Sequence, residues 1–285
     1  MHEGGEPVVV PSHWTYTLRR SEGENLAMTF AHRIQRRRFE LKYIVDERSA
    51  RAIRDFASAY LTPDKHGKRS QNYAYPICSL YLDSPQLTLY RATVDGHKYR
   101  FKLRIRFYDD SPQAPAYFEI KRRVDSIILK ERAAVRRTSL LRLLDGHWPK
   151  RSDLTDYDAD SHDALQRFCD LRHSVRAEGQ VFVSYTREAY VPPNDNSVRL
   201  NFDRELSVSN YQRAMAPTNS RRGFHPRLGG LVLELKFTDR FPTWMRDMVR
   251  IFNLERRRVP KYVTCLRSLR ERQFPSQPVK QAVEI

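Results

Sequence analysis

Cysteine is scarce in this chain of 285 residues, and the few cysteines are far apart. Cys78, Cys169 and Cys265 are the only three, and no CxxC pair occurs. Disulfide frameworks need an even set of cysteines, and structural zinc sites need closely spaced pairs. The sequence therefore argues against both kinds of cross-link. It favours a reducing compartment, which we expect to be the cytoplasm.

Long apolar runs are also missing. No stretch approaches the roughly 20 consecutive apolar residues of a membrane-spanning helix. The first residues, MHEGGEPVVVPSHW, lack the basic-then-apolar layout of a signal peptide. We expect no transmembrane segment, and the sequence leaves open whether a membrane partner exists. With 40% hydrophobic residues, the chain can still build a sizeable core.

Several familiar catalytic motifs do not occur. The sequence contains no GxxxxGK loop and no GxGxxG loop, so a nucleotide would not be held by either of the usual glycine-rich cradles. The nine histidines show no HExxH or other close ligand spacing, which argues against a histidine zinc site.

Positive charge is abundant. Lys and Arg number 51 against 34 Asp and Glu, which leaves a net charge of +17. Such an excess predicts an acidic partner, and it fits nucleic acid, anionic lipid or a phosphate-rich small molecule equally well.

The pattern along the chain predicts one domain between two poorly ordered ends. We expect a poorly ordered leader at residues 1–33, a single domain at 34–271 and a flexible tail at 272–285. Helical periodicity predicts helices over 46–61, 161–177 and 242–254. Residues 216–230, APTNSRRGFHPRLGG, read as a mobile loop.

Residues 97–110, HKYRFKLRIRFYDD, show strict alternation of charged and apolar side chains. Successive side chains of a strand point to opposite faces, so this strand has one apolar face and one basic face. The basic face carries Arg100, Lys102, Arg104 and Arg106. Neighbours on one face lie roughly 6.6–7 Å apart, so their repulsion needs an anion or nearby carboxylates to offset it.

About six further strands carry the same division, and the pattern E-x-K recurs at 40/42, 119/121 and 234/236. Antiparallel strands with charged faces of this kind can close into a barrel whose charged side points inward. The sequence therefore predicts an α+β fold, an antiparallel β-barrel tunnel with a basic lumen and helices packed outside.

A nucleic-acid-binding module is the main alternative from another class. Single-strand binders place aromatic residues among their cations so that bases stack on them. Here Tyr99, Phe101 and Phe107 fall on the face opposite the cations, which argues against specific nucleic-acid binding. Nonspecific binding of polyanions by the exterior segments RIQRRR and ERRRV stays open.

Eight short motifs follow one another between about Arg38 and Arg267: RRFELKY, KLRIRFY, FEIKR, LKERAAV, YTREAY, VRLNFD, LVLELKF and VPKY. In these motifs and their order, the chain resembles the triphosphate tunnel metalloenzymes of the CYTH-like superfamily, and within them the polyphosphate polymerase domain of the vacuolar transporter chaperone (VTC) family. This resemblance implies a metal-dependent tunnel that binds ATP and inorganic polyphosphate or triphosphate.

The resemblance also implies roles for individual residues. Catalytic contacts to phosphate are expected from Lys42, Arg104, Arg106, Lys121, Lys236 and Lys261. Further phosphate contacts are expected from Lys130, Arg187 and Arg199, with Tyr185 and Arg258 as additional ones, and the basic pattern adds Arg100, Lys102 and Arg132. Glu234 is expected to bind a divalent metal, Mn²⁺ or Mg²⁺. Glu119 and Asp203 would either assist it or merely separate cations.

Two positions depart from the family pattern. Arg38 stands where the hydrolase and cyclase branches carry a metal-binding Glu, which favours a polymerase. Pro260 replaces the Ser of the polymerase motif and removes a hydroxyl and a backbone N–H donor near the phosphate. The function expected is a polyphosphate polymerase. The alternatives are a tripolyphosphate or nucleoside triphosphate hydrolase and a non-catalytic polyphosphate-binding module.

Overall fold

The computed structural model describes residues 38–273 except 71, 126, 196 and 214–222, and it leaves out the side chains of Arg38 and Ile127. The predicted leader at 1–33, the tail after 273 and residues 216–222 of the predicted loop lie outside the described residues. The last part of that loop is held to the sheet, because Phe224 forms a β-bridge with Val208.

The described part of the chain contains nine strands. They are β1 (Arg38–Val45), β2 (Thr62–Pro63), β3 (Ala74–Asp83), β4 (Tyr99–Phe107), β5 (Ala116–Val124), β6 (Ile127–Val135), β7 (Glu178–Val191), β8 (Val198–Asn210) and β9 (Leu231–Thr238). All pair antiparallel in one sheet of order β1-β9-β8-β7-β3-β4-β5-β6, with the short β2 added to β7.

The described residues also form six α-helices. They are α1 (Glu47–Ala57), α2 (Thr88–Val94), α3 (Leu140–Leu144), α4 (Ala159–Ser174), α5 (Thr243–Ile251) and α6 (Lys261–Gln273). The predicted helices at 46–61, 161–177 and 242–254 correspond to α1, α4 and α5. Asp46 and Asp158 begin α1 and α4 by accepting bonds from Ser49 N (2.6 Å) and Ser161 N (2.8 Å).

The sheet curls until its two ends meet through side chains. In the described residues no ladder joins β1 to β6, yet Lys121 Nζ on β5 lies 3.2 Å from Glu40 Oε2 on β1. The free edge of β1 is partly covered by the chain before α6, since Arg257 N donates to Lys42 O (2.8 Å). The result is the expected antiparallel tunnel.

The apolar outer faces of the strands are covered by helices in two clusters. In the first cluster, α4 and α3 pack on β3 to β6, with Phe168 against Phe118 at 4.9 Å between ring centroids. In the second, α1 and α5 pack on β1, β8 and β9 through Ile53, Met245 and Met248. Their apolar stripes are buried because helix periodicity places them on one side. No helix in the described residues is long and apolar enough to cross a membrane.

Helix α6 differs from the others because it packs against the inner face of the sheet. Its Tyr262, Cys265 and Leu266 join a third cluster with inward-facing residues of β3, β7 and β8, such as Tyr81 and Val183. It therefore fills part of the lumen. The sequence did not predict this helix, whose amphipathic pattern is weak.

A buried carboxylate anchors α6. Asp83, at the end of β3, accepts bonds from the backbone N–H groups of Ser84, Leu89 and Tyr90, each at 2.8 Å. The Tyr262 hydroxyl donates to its Oδ2 (2.8 Å), and the Tyr262 ring stacks on Tyr81 at 4.8 Å. One carboxylate thus joins β3, the start of α2 and the inner helix.

We expect Tyr262→Phe to lower the free energy of unfolding by about 1.5–3 kcal/mol, because it keeps the ring but removes a hydrogen bond to a buried carboxylate. Urea unfolding followed by circular dichroism measures this. Tyr157→Phe, at a half-exposed tyrosine, should change stability by no more than about 0.5 kcal/mol. Equal stability of the Tyr262→Phe variant and the wild type would contradict the anchoring role.

Candidate functional site

The tunnel lumen is lined on one side by β4, β5 and β6, whose inward side chains form rows across the three strands. The registers place Arg104, Glu119 and Arg132 in one row and Lys102, Lys121 and Lys130 in the next. Arg100 lies opposite Arg123, and Arg106 lies opposite Tyr117. We call this side, β4 to β6, the cationic wall.

Glu119 is the only acidic residue among these inward positions of the cationic wall, and cations surround it. Its carboxylate lies 2.6 Å from Arg104 Nη2, 2.7 Å from Lys130 Nζ and 3.5 Å from Arg132 Nε. Burial of Glu119 would raise its pKa, but Arg104, Arg106 and Lys130 hold the pKa well below the usual range. The Glu119 carboxylate thus lies between cations of β4 and β6.

In the row of three lysines, Lys121 contacts Glu40 at 3.2 Å and Lys130 contacts Glu119 at 2.7 Å, whereas Lys102 forms no ion pair within the described residues. Burial, together with Lys121, Lys42 and the neighbouring arginines, lowers the pKa of Lys102 to about 7. Like charges directly opposite one another on adjacent strands destabilise a sheet. The row therefore carries stored repulsion that a bound polyanion would relieve.

The opposite side of the lumen, β1, β9 and β8, carries most of the carboxylates. Glu234 on β9 is buried and lies 2.9 Å from Lys236 Nζ, 3.2 Å from Arg187 Nη2 and 3.5 Å from Lys42 Nζ. The Asn201 amide donates to it as well (3.1 Å). Burial would raise the pKa of Glu234, but the surrounding lysines and Arg187 hold the pKa well below its ordinary value.

Asp203 links this acidic side to the inner helix. Arg187 binds both of its oxygens, at 2.6 and 2.7 Å, and Lys261, the first residue of α6, reaches it at 2.6 Å. Although burial opposes ionisation, Arg187 and Lys261 lower the pKa of Asp203 to about 2. The carboxylate therefore stays ionised and fixes both cations.

Glu40 joins the two sides where the ends of the sheet meet. Its oxygens lie 3.0 Å from Lys42 and 3.2 Å from Lys121. Lys42 also donates to the backbone carbonyl of Val259, in the segment that leads into α6 (3.1 Å). A continuous series of polar contacts thus runs from β5 through β1 to the segment before the inner helix.

Tyrosines complete the centre of the lumen. Tyr185 accepts a bond from Arg106 (3.3 Å), and its ring lies beneath Arg187 and Lys261, at 5.2 and 5.0 Å. It sits at an irregularity in the β7–β8 register, and such bulges commonly redirect a side chain. Tyr81 accepts from Arg104 (3.3 Å).

Three predicted phosphate-binding residues lie toward the ends of the tunnel. Arg199 contacts Asp64 and donates to Tyr75 (3.2 Å) and Asn201 (3.0 Å). Arg100 donates to the carbonyl of His97. Arg258 is exposed in the segment beside β1, close enough to Arg100 that the two charges interact.

Sequence reasoning missed Tyr81, Tyr75, Asp64 and the role of Asn201. Tyr81 and Tyr75 lie on β3, which is buried on both faces because α6 covers part of its inner face. Alternation is lost in such a strand. Asp64 precedes a short turn, and only the fold brings it to Arg199.

The acidic side fits a divalent metal only if phosphate oxygens of a substrate complete the ligand set. No group of three or more His, Cys, Asp or Glu side chains within 38–273, apart from the residues not described, is arranged to hold an ion alone. Mg²⁺ and similar ions are often held by one or two carboxylates plus phosphate oxygens of the substrate. Glu234, buried and ionised, fits that donor set if phosphate supplies the remaining oxygens.

Comparisons with known proteins give the family. No curated protein matches the sequence significantly. A solved structure from Bacillus halodurans, described as a candidate adenylate cyclase, is 14% identical, with 78% of this chain and 93% of that chain covered and a TM-score of 0.44. A candidate adenylate cyclase from Vibrio parahaemolyticus is 13% identical, with 80% and 97% covered and a TM-score of 0.38.

A third solved structure is the candidate adenylyl cyclase HpAC1 from Hippeastrum, described as having a dominant triphosphatase activity. It is 13% identical, with 76% of this chain and 88% of that chain covered and a TM-score of 0.41. A family model for the VTC domain matches residues 37–270, from β1 to the inner helix α6. Because that match covers most of the chain, the protein belongs to the VTC-domain family.

Proposed function

We propose that this chain is a metal-dependent polyphosphate polymerase that transfers the γ-phosphate of ATP to a growing inorganic polyphosphate chain inside the tunnel. The observation that carries the proposal is the cationic wall. Its cations outnumber its one inward carboxylate and line the lumen in successive rows. An anion with many regularly spaced charges matches such a surface.

The arginines and lysines of the lumen would divide the binding work. Arg104 and Arg106 present planar forks that grip two phosphate oxygens at once, and their partners Glu119, Tyr81 and Tyr185 hold them in place. Lys42, Lys121, Lys236 and Lys261 act as point charges. Each already contacts a carboxylate, which keeps the lysine in the lumen.

Phosphoryl transfer needs little covalent chemistry from the protein. A terminal oxygen of the chain forms a bond to the γ-phosphorus, the bond from that phosphorus to the β–γ bridging oxygen breaks, and ADP leaves. The protein must hold the two oxygens in line and neutralise the developing charge. Glu234 would hold the divalent metal, Mn²⁺ or Mg²⁺, and the bound ion would neutralise phosphate oxygens.

The length of the cationic wall favours polymerisation over hydrolysis. Arg100 to Arg106 span about 20 Å on one face of β4, enough to hold several consecutive phosphates, so a chain end can compete with water for the phosphoryl group. Pro260 supports the hydrolase alternative, because the residue before α6 offers neither a hydroxyl nor an N–H donor. The third hypothesis for the function is a non-catalytic polyphosphate-binding module.

The direct test is the fate of the γ-phosphate. With ATP and Mn²⁺ or Mg²⁺, the purified protein should give ADP and a ladder of polyphosphate on a gel. Orthophosphate without polymer would assign the protein to the hydrolases. Tight, salt-sensitive binding of polyphosphate with neither product would leave a binding module.

Substitutions on the two sides of the lumen should have different effects. We expect Glu234→Gln to reduce turnover by about 10²–10³ while leaving metal-free polyphosphate binding intact, because it removes a negative charge from the lumen. Arg104→Ala should weaken binding as well as turnover. Gel assays and calorimetry measure both, with Arg91→Gln on the exposed side of α2 as the control. Wild-type metal dependence in Glu234→Gln would contradict the ligand assignment.

Polyphosphate binding should depend on pH through Lys102 and two further lumen lysines, Lys130 and Lys236, whose pKa values burial lowers to about 7 and about 8. A lysine is charged below its pKa, and the pKa of Lys102 is lowered to about 7 by burial and neighbouring cations. A bound polyanion favours the charged form, so binding should take up protons and weaken as the pH rises from 7 to 9. Lys102→Arg, which stays charged, should reduce the proton uptake.

Calorimetry in buffers of different ionisation enthalpy measures this uptake. The comparison of Lys102→Arg with the wild type cancels the titration of the ligand itself. Identical proton uptake in the two proteins would show that Lys102 is already charged before the anion binds.

A further inference from the structure

The lumen face changes character at one end of the cationic wall, where cations give way to aromatic rings. Tyr117 lies directly opposite Arg106 in the β4–β5 register, and Tyr108 follows Arg106 with the same parity. Tyr75 occupies the corresponding end of β3, opposite Arg187. We call Tyr75, Tyr108, Tyr117 and His66 the aromatic mouth.

The rings of the aromatic mouth contact one another. His66, from the turn before β3, stacks on Tyr108 with centroids 5.3 Å apart and planes 7° from parallel. Tyr108 meets Tyr117 edge-on at 5.4 Å, and His66 lies 5.3 Å from Tyr75. Only Tyr75 is fully buried; the other three are partly exposed. The group therefore presents ring surface to the opening.

One face of the Tyr117 ring is covered by the planar guanidinium group of Arg132, which can move away. The guanidinium carbon of Arg132 lies 3.5 Å from the centroid of Tyr117, the spacing of a stacked pair. Arg132 is exposed, and it also lies 5.5 Å from the centroid of Tyr108 and 3.5 Å from Glu119. A planar guanidinium at this distance indicates that the face of Tyr117 admits a flat ligand and is not packed against the protein interior.

The aromatic mouth is also continuous with the phosphate-binding cations. Tyr108 makes a side-chain hydrogen bond with Arg106, and Arg106 donates in turn to Tyr185 in the centre of the lumen. From the rings inward, a ligand would meet Arg106, then Arg104, then the lysine row. A ring joined to a chain of phosphates matches this order.

We propose that the aromatic mouth is a nucleobase subsite, with the base of a nucleoside triphosphate stacked on Tyr117 and its phosphates extending inward along Arg106 and Arg104. Arg132 leaves the ring when the base binds and turns to the phosphates. The subsite selects nucleoside triphosphates over inorganic triphosphate. This inference rests on the proposed phosphate-binding function of the lumen and adds the orientation of the donor.

The test compares two ligands that share a triphosphate and differ in the base. Calorimetry in EDTA, which prevents turnover, gives the affinities for ATP and for inorganic tripolyphosphate. We expect Tyr117→Leu to weaken ATP binding about 5- to 100-fold and to change tripolyphosphate binding less than about twofold. GTP should respond like ATP, because every base offers a π face.

Two further variants isolate the ring. Tyr117→Phe keeps the stacking face and should bind ATP like the wild type. Tyr99→Leu removes an exposed tyrosine from the far end of β4, on its outer face, and should change neither affinity. Equal losses for ATP and tripolyphosphate in Tyr117→Leu would overturn the proposal, as would no loss for either ligand.

The outcome separates this inference from the proposed polymerase activity. ATP binding that depends on Tyr117 without any polymer would support the nucleobase subsite and refute the polymerase. Polymer formation with an ATP affinity that does not depend on Tyr117 would support the polymerase and refute the nucleobase subsite.

Discussion

Two buried carboxylates, Glu119 and Glu234, allow the folded protein to keep a lumen with a large excess of cations. Each is surrounded by three cationic side chains within 3.5 Å. Without them the arginines and lysines of neighbouring strands would face only one another, at a high electrostatic cost in a partly desolvated interior. The rows of cations can therefore exist before any ligand arrives.

Carboxylates balance the cations less completely on the β4 to β6 side of the tunnel than on the opposite side. On the β1, β8 and β9 side, Glu40, Asp203 and Glu234 each bind nearby cations, and all three are held ionised. On the β4 to β6 side, Lys121 pairs with Glu40 of β1 and Lys130 with Glu119 of β5, whereas Lys102 forms no ion pair within the described residues. In the proposed function, the polyanion would lie along the β4 to β6 side, and Glu234 would hold the metal together with phosphate on the opposite side.

Helix α6 connects the stability of the fold with the site. Its first residue, Lys261, contacts Asp203 in the lumen, and its second, Tyr262, binds the buried Asp83 that also begins α2. The preceding segment runs along the edge of β1. The helix therefore fixes one cation of the lumen and fills the space between β3, β7 and β8, so that the remaining lumen is lined mainly by charged side chains.

Some features were predictable from residue order because they depend on local periodicity. Alternation in KLRIRFY and the E-x-K repeats fixed which side chains share a face, and the helices around Ile53, Phe168 and Met245 followed from their apolar stripes. Local patterns could not reveal α6 inside the tunnel, because the amphipathic pattern of this helix is weak. They also could not reveal the inward residues of β3, because a strand that is buried on both faces loses its alternation.

The pairing of charges was decided only by the tertiary structure. The sequence neighbours of Glu119 fit either a metal ligand or a carboxylate that separates cations. In the structure, cations surround Glu119 because Arg104, Lys130 and Arg132 come from adjacent strands. Lys121 meets Glu40 across 81 positions of sequence, where the two ends of the sheet approach each other. The sequence by itself determined the two faces of each strand, because side-chain direction alternates locally. Only the curled sheet decided which charges meet, because register and curvature depend on contacts between distant strands.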